Sequence, residues 1–120
     1  MKIMPLIRNG DLNPVSQEAL REEFEKAGRY GEIRIGEAHL FYRGFLRVRF
    51  VPLTDCERIY LRVEFGEYGD LPLHEHYIVV RTKQGREALL RLERPDDAKE
   101  VMECLKNHGC KVALGKEKTE

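Results

Sequence analysis

The chain has 120 residues, and its 21 lysines and arginines balance 21 aspartates and glutamates, so the formal net charge is zero. This length suits one domain with a single core, and the even charge balance argues against a uniformly basic nucleic-acid binder or a disordered acidic chain. No apolar run approaches the ~20 residues of a membrane span, and the first residues lack the apolar core of a signal peptide. Three cysteines are too few for a disulfide framework and indicate a reducing compartment, so we expect a cytoplasmic protein.

Residues 1–29 are predicted to form an N-terminal extension that carries one helix over residues 14–27. Asn13 can accept hydrogen bonds from the free N–H groups at the start of the helix, and Pro14 suits the first helical position. Gly28 is typical of a helix end. The apolar residues of this segment fall on one stripe, so the helix needs a surface on which to pack.

Residues 30–114 are predicted to form the main domain. From Tyr30 onward, apolar and polar residues alternate in short runs, which is typical of strands buried on one face. Short turns separate the runs, and parallel pairing would need long crossovers. We therefore predict a mainly β domain of the α+β class, an antiparallel, partly open barrel or sandwich of six or seven strands. Six runs are clear, and the seventh strand is expected in one of three segments: 3–8, 71–73 or 111–114.

An amphipathic helix over residues 95–109 is predicted to close this domain. Pro95 suits its first turn, and Gly109 is a typical cap at its end. Its apolar residues share one stripe at helical spacing: Ala98, Val101, Met102 and Leu105. Residues 115–120 are predicted to be a polar tail. The expected core combines this helix with the strands: Ile33, Ile35, Leu46, Val48, Ile59, Leu61, Val63, Leu90, Val101 and Leu105.

The order of these elements resembles the pleckstrin-homology-like fold, particularly its small bacterial versions, in which a meander of strands is closed by one C-terminal helix. The segments that carry the resemblance are residues 31–36, 40–42 and 51–60, and the last contains a corner of the type Pro-Leu-x-Asp. The resemblance covers about residues 30–109. It implies a scaffold domain with a peptide groove beside the C-terminal helix.

Members of that fold that bind phosphoinositides have a basic loop between their first two strands. In this chain the corresponding loop is Gly36-Glu37, which is short and acidic. A phosphate would meet a carboxylate there. Phosphoinositide binding is therefore not expected.

Residues 43–50 are superficially similar to the octapeptide of RNA-recognition motifs, which begins with a basic residue, a glycine and an aromatic residue. Leu46 stands where that pattern has a small residue, and Arg47 stands where it has a stacking aromatic residue. We favour a strand with one buried face and one arginine-bearing face. Binding of a nucleic acid or another anion through Arg43, Arg47 and Arg49 is kept as an alternative function.

Two pairs of side chains have the spacing of metal ligands or catalytic partners. His74 and His76 lie on one side of an extended chain, and Cys104 and His108 lie one helical turn apart. A small enzyme or metal-binding domain that uses these pairs is a further alternative. The chain has no Cys-x₂-Cys pair, phosphate-binding loop or nucleophile motif. We therefore assign no catalytic residue, metal or cofactor.

Residues 66–75 are predicted to form the longest loop of the meander. Apolar side chains on a loop either fold back on the core or contact a partner. Together with the arginines they suggest an interaction surface: Arg43, Arg47, Arg49, Tyr68, Leu71 and Leu73. We expect a non-catalytic interaction or scaffold module that binds a protein partner or a second copy of itself, as a homodimer.

Overall fold

The computed structural model describes residues 2–6, 16–44, 47–68, 71–110 and 112–116. The elements follow one another along the chain as β1 (Ile3–Pro5), α1 (Gln17–Lys26), β2 (Gly28–Tyr30), β3 (Ile33–Ile35), β4 (His39–Arg43), β5 (Val48–Pro52), β6 (Cys56–Tyr68), β7 (Leu71–Thr82), β8 (Glu87–Leu92), α2 (Pro95–Asn107) and β9 (Val112–Lys116).

The strands form two sheets that do not close into a barrel. Sheet A has five strands in the order β1-β5-β4-β3-β2, and all its pairs are antiparallel except β1 with β5. Sheet B has four strands in the order β8-β7-β6-β9, and β9 runs parallel to β6. Its main feature is the long hairpin of β6 and β7.

The main hydrophobic cluster, here called the central core, takes residues from both sheets and from α2. It contains Ile33, Ile35, Leu40, Val51, Leu53, Cys56, Ile59, Ile78, Val80, Leu90, Leu92, Ala98, Val101, Met102 and Leu105. The apolar stripe of α2 is fully buried here, as the i, i+3, i+4, i+7 spacing predicts. Among the expected core residues, Leu61 and Val63 are half-buried, and Leu46 lies outside the described residues.

A second hydrophobic cluster, here called the α1 cluster, lies on the other face of sheet A. It contains Ile3, Leu20, Phe24, Phe41, Val48 and Phe50. Phe24 meets Phe41 edge to face, with ring centroids 5.4 Å apart. Sheet A is therefore covered on both faces.

Polar contacts fix the start of α1. The Ser16 hydroxyl accepts a hydrogen bond from the Ala19 N–H at 3.4 Å, which is the usual role of an N-cap serine. The Gln17 side chain accepts from the Ile3 N–H at 2.9 Å and donates to the Ile3 carbonyl at 2.8 Å. These two bonds connect α1 directly to β1.

The α+β class, the two helices and the closing C-terminal helix agree with the sequence prediction. The alternating runs at residues 77–82 and 87–92, on either side of residues 83–86, also predict a hairpin. β7 and β8 form it, with Gly85 at φ +82° in its turn. The candidate strand at 111–114 corresponds to β9, which continues to Lys116.

Other predictions need correction. The chain has more strands than six or seven, and the pairs β1–β5 and β6–β9 are parallel. The predicted loop at 66–75 is largely occupied by the ends of β6 and β7. The first helix begins at Gln17, whereas Asn13 and Pro14 lie outside the described residues. The N-terminal extension contributes β1 and part of β2 to sheet A.

Candidate functional site

An open cleft of about 810 Å³ lies where the edge of sheet B faces one end of sheet A. Sheet A contributes Tyr42 and Arg49, Arg47 lies directly before β5, and the β8 side contributes residues 86–90. Leu6, just after β1, also lines it. We call this feature the edge cleft, because β8 is an edge strand of sheet B.

The main chain of β8 alternates between bonding β7 and facing the edge cleft. The Thr82 N–H donates to the Arg86 carbonyl at 2.8 Å, so Arg86 belongs to a hydrogen-bonded pair with β7. In an antiparallel ladder, such pairs recur at every second residue. The N–H and C=O groups of Glu87, Leu89 and Arg91 therefore point away from β7.

At one end of β8, the outward-facing main-chain groups are already hydrogen-bonded to side chains of the sheet A region. The Tyr42 hydroxyl donates to the Arg91 carbonyl at 3.1 Å, and the Glu93 N–H donates to the Glu32 carboxylate at 3.4 Å. Among the described residues, none is hydrogen-bonded to the outward main chain of Leu89. Within the ranges that the structure describes, the segment of β8 whose outward main chain has no hydrogen-bonded neighbour is therefore short and centred on Leu89.

Positive charge dominates the lining of the edge cleft. Arg47, Arg49 and Arg86 are exposed there. Glu87 also lines the cleft, but its carboxylate accepts a hydrogen bond from the Tyr60 hydroxyl on the outer face of sheet B. Because the whole chain carries no net charge, this positive charge is a local feature.

Leu89 adds an apolar group at the rim of the edge cleft. It is 47% exposed, whereas its cross-strand neighbour Val79 is fully buried. On the outer face of sheet B, Glu87 and Arg91 stand on either side of Leu89 at alternate positions. This rim can contact an apolar side chain of an added strand.

The structure brings together only part of the predicted arginine face. Arg47 and Arg49 both line the edge cleft, and Arg49 pairs with Tyr42. Arg43 pairs with Val48, a member of the α1 cluster, so it lies on the opposite face of sheet A. The prediction of one face for all three arginines is therefore wrong.

The predicted apolar loop residues belong to strands. Tyr68 ends β6 and pairs with Leu71 at the start of β7, and Leu73 pairs with Gly66. The side chains of these residues lie outside the described part of the structure. Their proposed role in an interaction surface stays a prediction.

The turn between β3 and β4, which contains Gly36 and Glu37, is filled by a carboxylate of α1. Glu23 accepts hydrogen bonds from the Ala38 N–H at 3.0 Å and the His39 N–H at 2.7 Å. The His39 Nδ1 atom lies 2.7 Å from the other carboxylate oxygen. A negative group already occupies this turn, which disfavours an anionic ligand.

Beside the C-terminal helix α2 lies β9, a strand of the chain itself. β9 pairs with β6 at Ile59 to Leu61 and contacts α2. In sheet B, β9 covers the side of β6 only at Ile59 to Leu61, and β8 covers the side of β7 at His76 to Arg81. At this end of sheet B the outer strands are β8 and β9, of which β8 is the longer.

Cys104 and His108 lie close together, with the thiol sulfur 3.8 Å from Nδ1. That same ring nitrogen lies 2.9 Å from the Cys104 carbonyl oxygen, which requires a ring N–H as donor. Nδ1 therefore cannot serve as a base toward the Cys104 thiol. Tyr30 also contacts Cys104, and that hydrogen bond raises the pKa of the Tyr30 phenol.

The other two cysteines are poor nucleophiles. Burial raises the pKa of Cys56 to about 12 and also raises the pKa of Cys110 above its usual value. A thiolate is the reactive form of cysteine, so near neutral pH both carry less thiolate than an ordinary cysteine. His76 lies on β7 beside Val63, and the side chain of His74 lies outside the described residues. In the described part of the chain, no group of three potential metal ligands is present.

The residues of the edge cleft that the sequence analysis missed include Tyr42, Arg86 and Leu89. Each belongs to a strand or turn that was predicted, and an exposed Leu at an alternating position gives a weak signal on its own. Their proximity depends on how the two sheets approach each other. No short motif encodes that approach.

Neither α1 nor α2 is long and apolar enough to span a bilayer, and the same holds for any helix within the described ranges. Comparisons with protein-family models, curated proteins and solved structures found no match to this chain.

Proposed function

We propose that this protein is a non-catalytic interaction module that binds an extended segment of a protein partner by strand addition to β8. The observation that carries the proposal is the main chain of Leu89, whose N–H and C=O groups face the edge cleft. An edge strand with outward-facing groups can form new ladder hydrogen bonds with a peptide. Such bonds supply affinity without requiring a particular sequence.

The order of elements supports a pleckstrin-homology-like scaffold for this module. Strands β2 to β5 form an antiparallel meander, β6 to β8 form a second one, and α2 follows. This is the order on which the sequence resemblance rests. A partly open sandwich of this type, in a cytoplasmic protein, is the arrangement that we propose.

A partner peptide fits the edge cleft better than a second copy of this chain. In a symmetric pair of β8 strands, each copy would bring its own Arg47, Arg49 and Arg86 toward the same seam, and like charges oppose association. A symmetric pair centred on Leu89 would also require the Arg91 carbonyl, which already accepts from Tyr42.

The test uses peptides selected from a displayed library of random sequences on the purified protein. Leu89→Pro removes the N–H that faces the cleft and leaves the ladder to β7 in place, because proline is tolerated on an edge strand in that orientation. Leu89→Ala is the matched control, because it shortens the side chain but keeps the N–H. We expect roughly tenfold weaker peptide binding for Leu89→Pro than for Leu89→Ala.

NMR chemical shifts locate the bound peptide independently of affinity. We expect the amide signals of Glu87 and Leu89 to shift on peptide addition. Equal binding to both variants, with no shift at these amides, would contradict strand addition. Light scattering of the free protein supplies a further outcome, since a dimer disrupted by Leu89→Pro would identify a second copy as the occupant of the edge.

A further inference from the structure

The edge cleft combines strand geometry with charge in a way that specifies its ligand more closely. We propose that the bound segment is an acidic peptide with carboxylates at alternate positions and apolar residues between them. This inference rests on the proposed strand addition to β8. It adds the chemical class of the partner.

The spacing of the arginines matches the period of a strand. Arg47 and Arg49 are two residues apart and both line the cleft. Side chains two residues apart on an extended chain point to the same side and lie roughly 6.5–7 Å apart. Alternate side chains of an added strand have the same spacing. Two carboxylates at positions i and i+2 can therefore approach the two guanidinium groups together.

The charges of the cleft favour carboxylates over other side chains. Among the described residues, no carboxylate forms an ion pair with Arg47 or Arg49, and Arg86 adds a third positive charge to the lining. Glu87 directs its carboxylate toward Tyr60, on the outer face. Three arginines and one glutamate line the cleft, so an acidic segment would offset the excess of positive charge. Arginine can bind a carboxylate in a bidentate manner.

The residues between the acidic positions point to the other face of the added strand, and the surroundings of that face determine which residue type is preferred. Side chains of successive strand residues point to opposite faces. If the acidic positions point toward Arg47 and Arg49, the intervening residues extend the outer face of sheet B beside Leu89. Leu89 is 47% exposed, and an apolar neighbour would cover it. The expected pattern is therefore acidic, apolar, acidic.

The test measures fluorescence anisotropy of three synthetic peptides with the full-length protein. The first alternates Glu with Val and Thr; the second has Gln in place of every Glu; the third has the composition of the first, with its Glu residues in one block. We expect the alternating acidic peptide to bind roughly tenfold more tightly than either of the others, and its affinity to fall as salt is raised. NMR shifts at Glu87 and Leu89 would place it on β8.

Matched arginine variants connect the charge requirement to the cleft. The double variant Arg47→Gln/Arg49→Gln should lose the preference for the acidic peptide. Arg43→Gln removes an exposed arginine from the opposite face of sheet A and should retain it. All three residues are exposed, so the variants are expected to stay folded, which circular dichroism checks.

The outcomes separate this inference from the proposed function. If the Gln peptide binds as tightly as the Glu peptide and shifts the same β8 amides, strand addition stands and the acidic preference is overturned. If an oligonucleotide binds through Arg47 and Arg49 more tightly than any peptide, without shifts at Glu87 and Leu89, the ligand is a nucleic acid and both proposals are overturned. If no peptide binds and no β8 amide shifts, both are also overturned.

Discussion

The two helices of this protein are attached to the sheets in different ways. α2 buries a continuous stripe of four apolar side chains in the central core. α1 buries only Leu20 and Phe24. It is held in addition by polar contacts at three points along its length, which involve Gln17, Glu23 and the Phe24 carbonyl.

The third contact shows how a polar group can contribute to a mainly apolar interface. Arg34 is 9% exposed, and its Nη1 donates to the Phe24 carbonyl at 3.1 Å. Its guanidinium carbon lies 3.9 Å from the centroid of the Phe24 ring. Burial lowers the pKa of Arg34, yet an arginine stays charged. Local hydrogen bonds and one cation therefore compensate for the small apolar face of α1.

The largest expected effects come from equivalent leucine truncations in the two helices. Leu105 and Leu20 are both almost fully buried, at 0% and 1% exposure. Leu105→Ala leaves a cavity inside the central core and should lower the free energy of unfolding by about 4 kcal/mol. Leu20→Ala should cost about 2 kcal/mol, because the smaller α1 cluster can collapse around the gap. Urea melts measure both, and equal losses would contradict the distinction between the helices.

A smaller effect is expected from the polar attachment of α1. Glu23→Gln removes the charge of a carboxylate that accepts two main-chain hydrogen bonds and contacts His39. The free energy of unfolding should fall by about 1–2 kcal/mol, since hydrogen bonds to charged groups are stronger than those between neutral groups. Glu22→Gln, on an exposed position of the same helix, is the control and should change stability by less than ~0.5 kcal/mol. Hydrogen exchange at Ala38 and His39 should increase in the first variant only.

The smallest effect concerns the pH dependence of the central core. Burial raises the pKa of Cys56 to about 12, from an ordinary value of 9.0. Between these values the unfolded thiol loses its proton and the folded one keeps it, so stability falls as the pH rises above about 9. Cys56→Ala removes this contribution. From about pH 8 to about pH 10, wild type should lose about 1 kcal/mol more than the variant in urea melts. An equal loss of stability with pH in wild type and variant would contradict the attribution of this effect to Cys56.

The sequence predicted those elements whose signals are local. The period of α2, its proline start and Gly109 at its end gave a helix that the structure confirms. The hairpin of β7 and β8 followed from alternation around Gly85. Strand pairing between segments that are distant in sequence has no local sequence signal. The parallel pairing of β1 with β5 depends on residues far apart in the chain, and short segments do not encode it.

Glycine and proline were misleading as signals of a loop where strand pairing determined the structure. The predicted loop at residues 66–75 contains Gly66 and Pro72, yet both lie in the long hairpin, where Gly66 pairs with Leu73 and Pro72 with Glu67. The candidate site could be predicted only in part, because its geometry also depends on strand pairing. Arg47 and Arg49 were identified from their alternation, but Arg43 was assigned to the wrong face because the pairing register was unknown. Leu89 lies in the same cleft as Arg47 and Arg49 only because the two sheets approach each other there.

The parallel pairs also bear on how the chain folds. β1 and β9 each pair with a strand that is distant in sequence, so their docking carries a larger loop-closure cost than hairpin formation does. We therefore expect the hairpins of β3 to β5 and of β6 to β8 to form first. Until β1 and β9 dock, the edges of β5 and β6 lack their partners, and strands of other molecules can pair with them. Refolding yield should consequently fall as protein concentration rises.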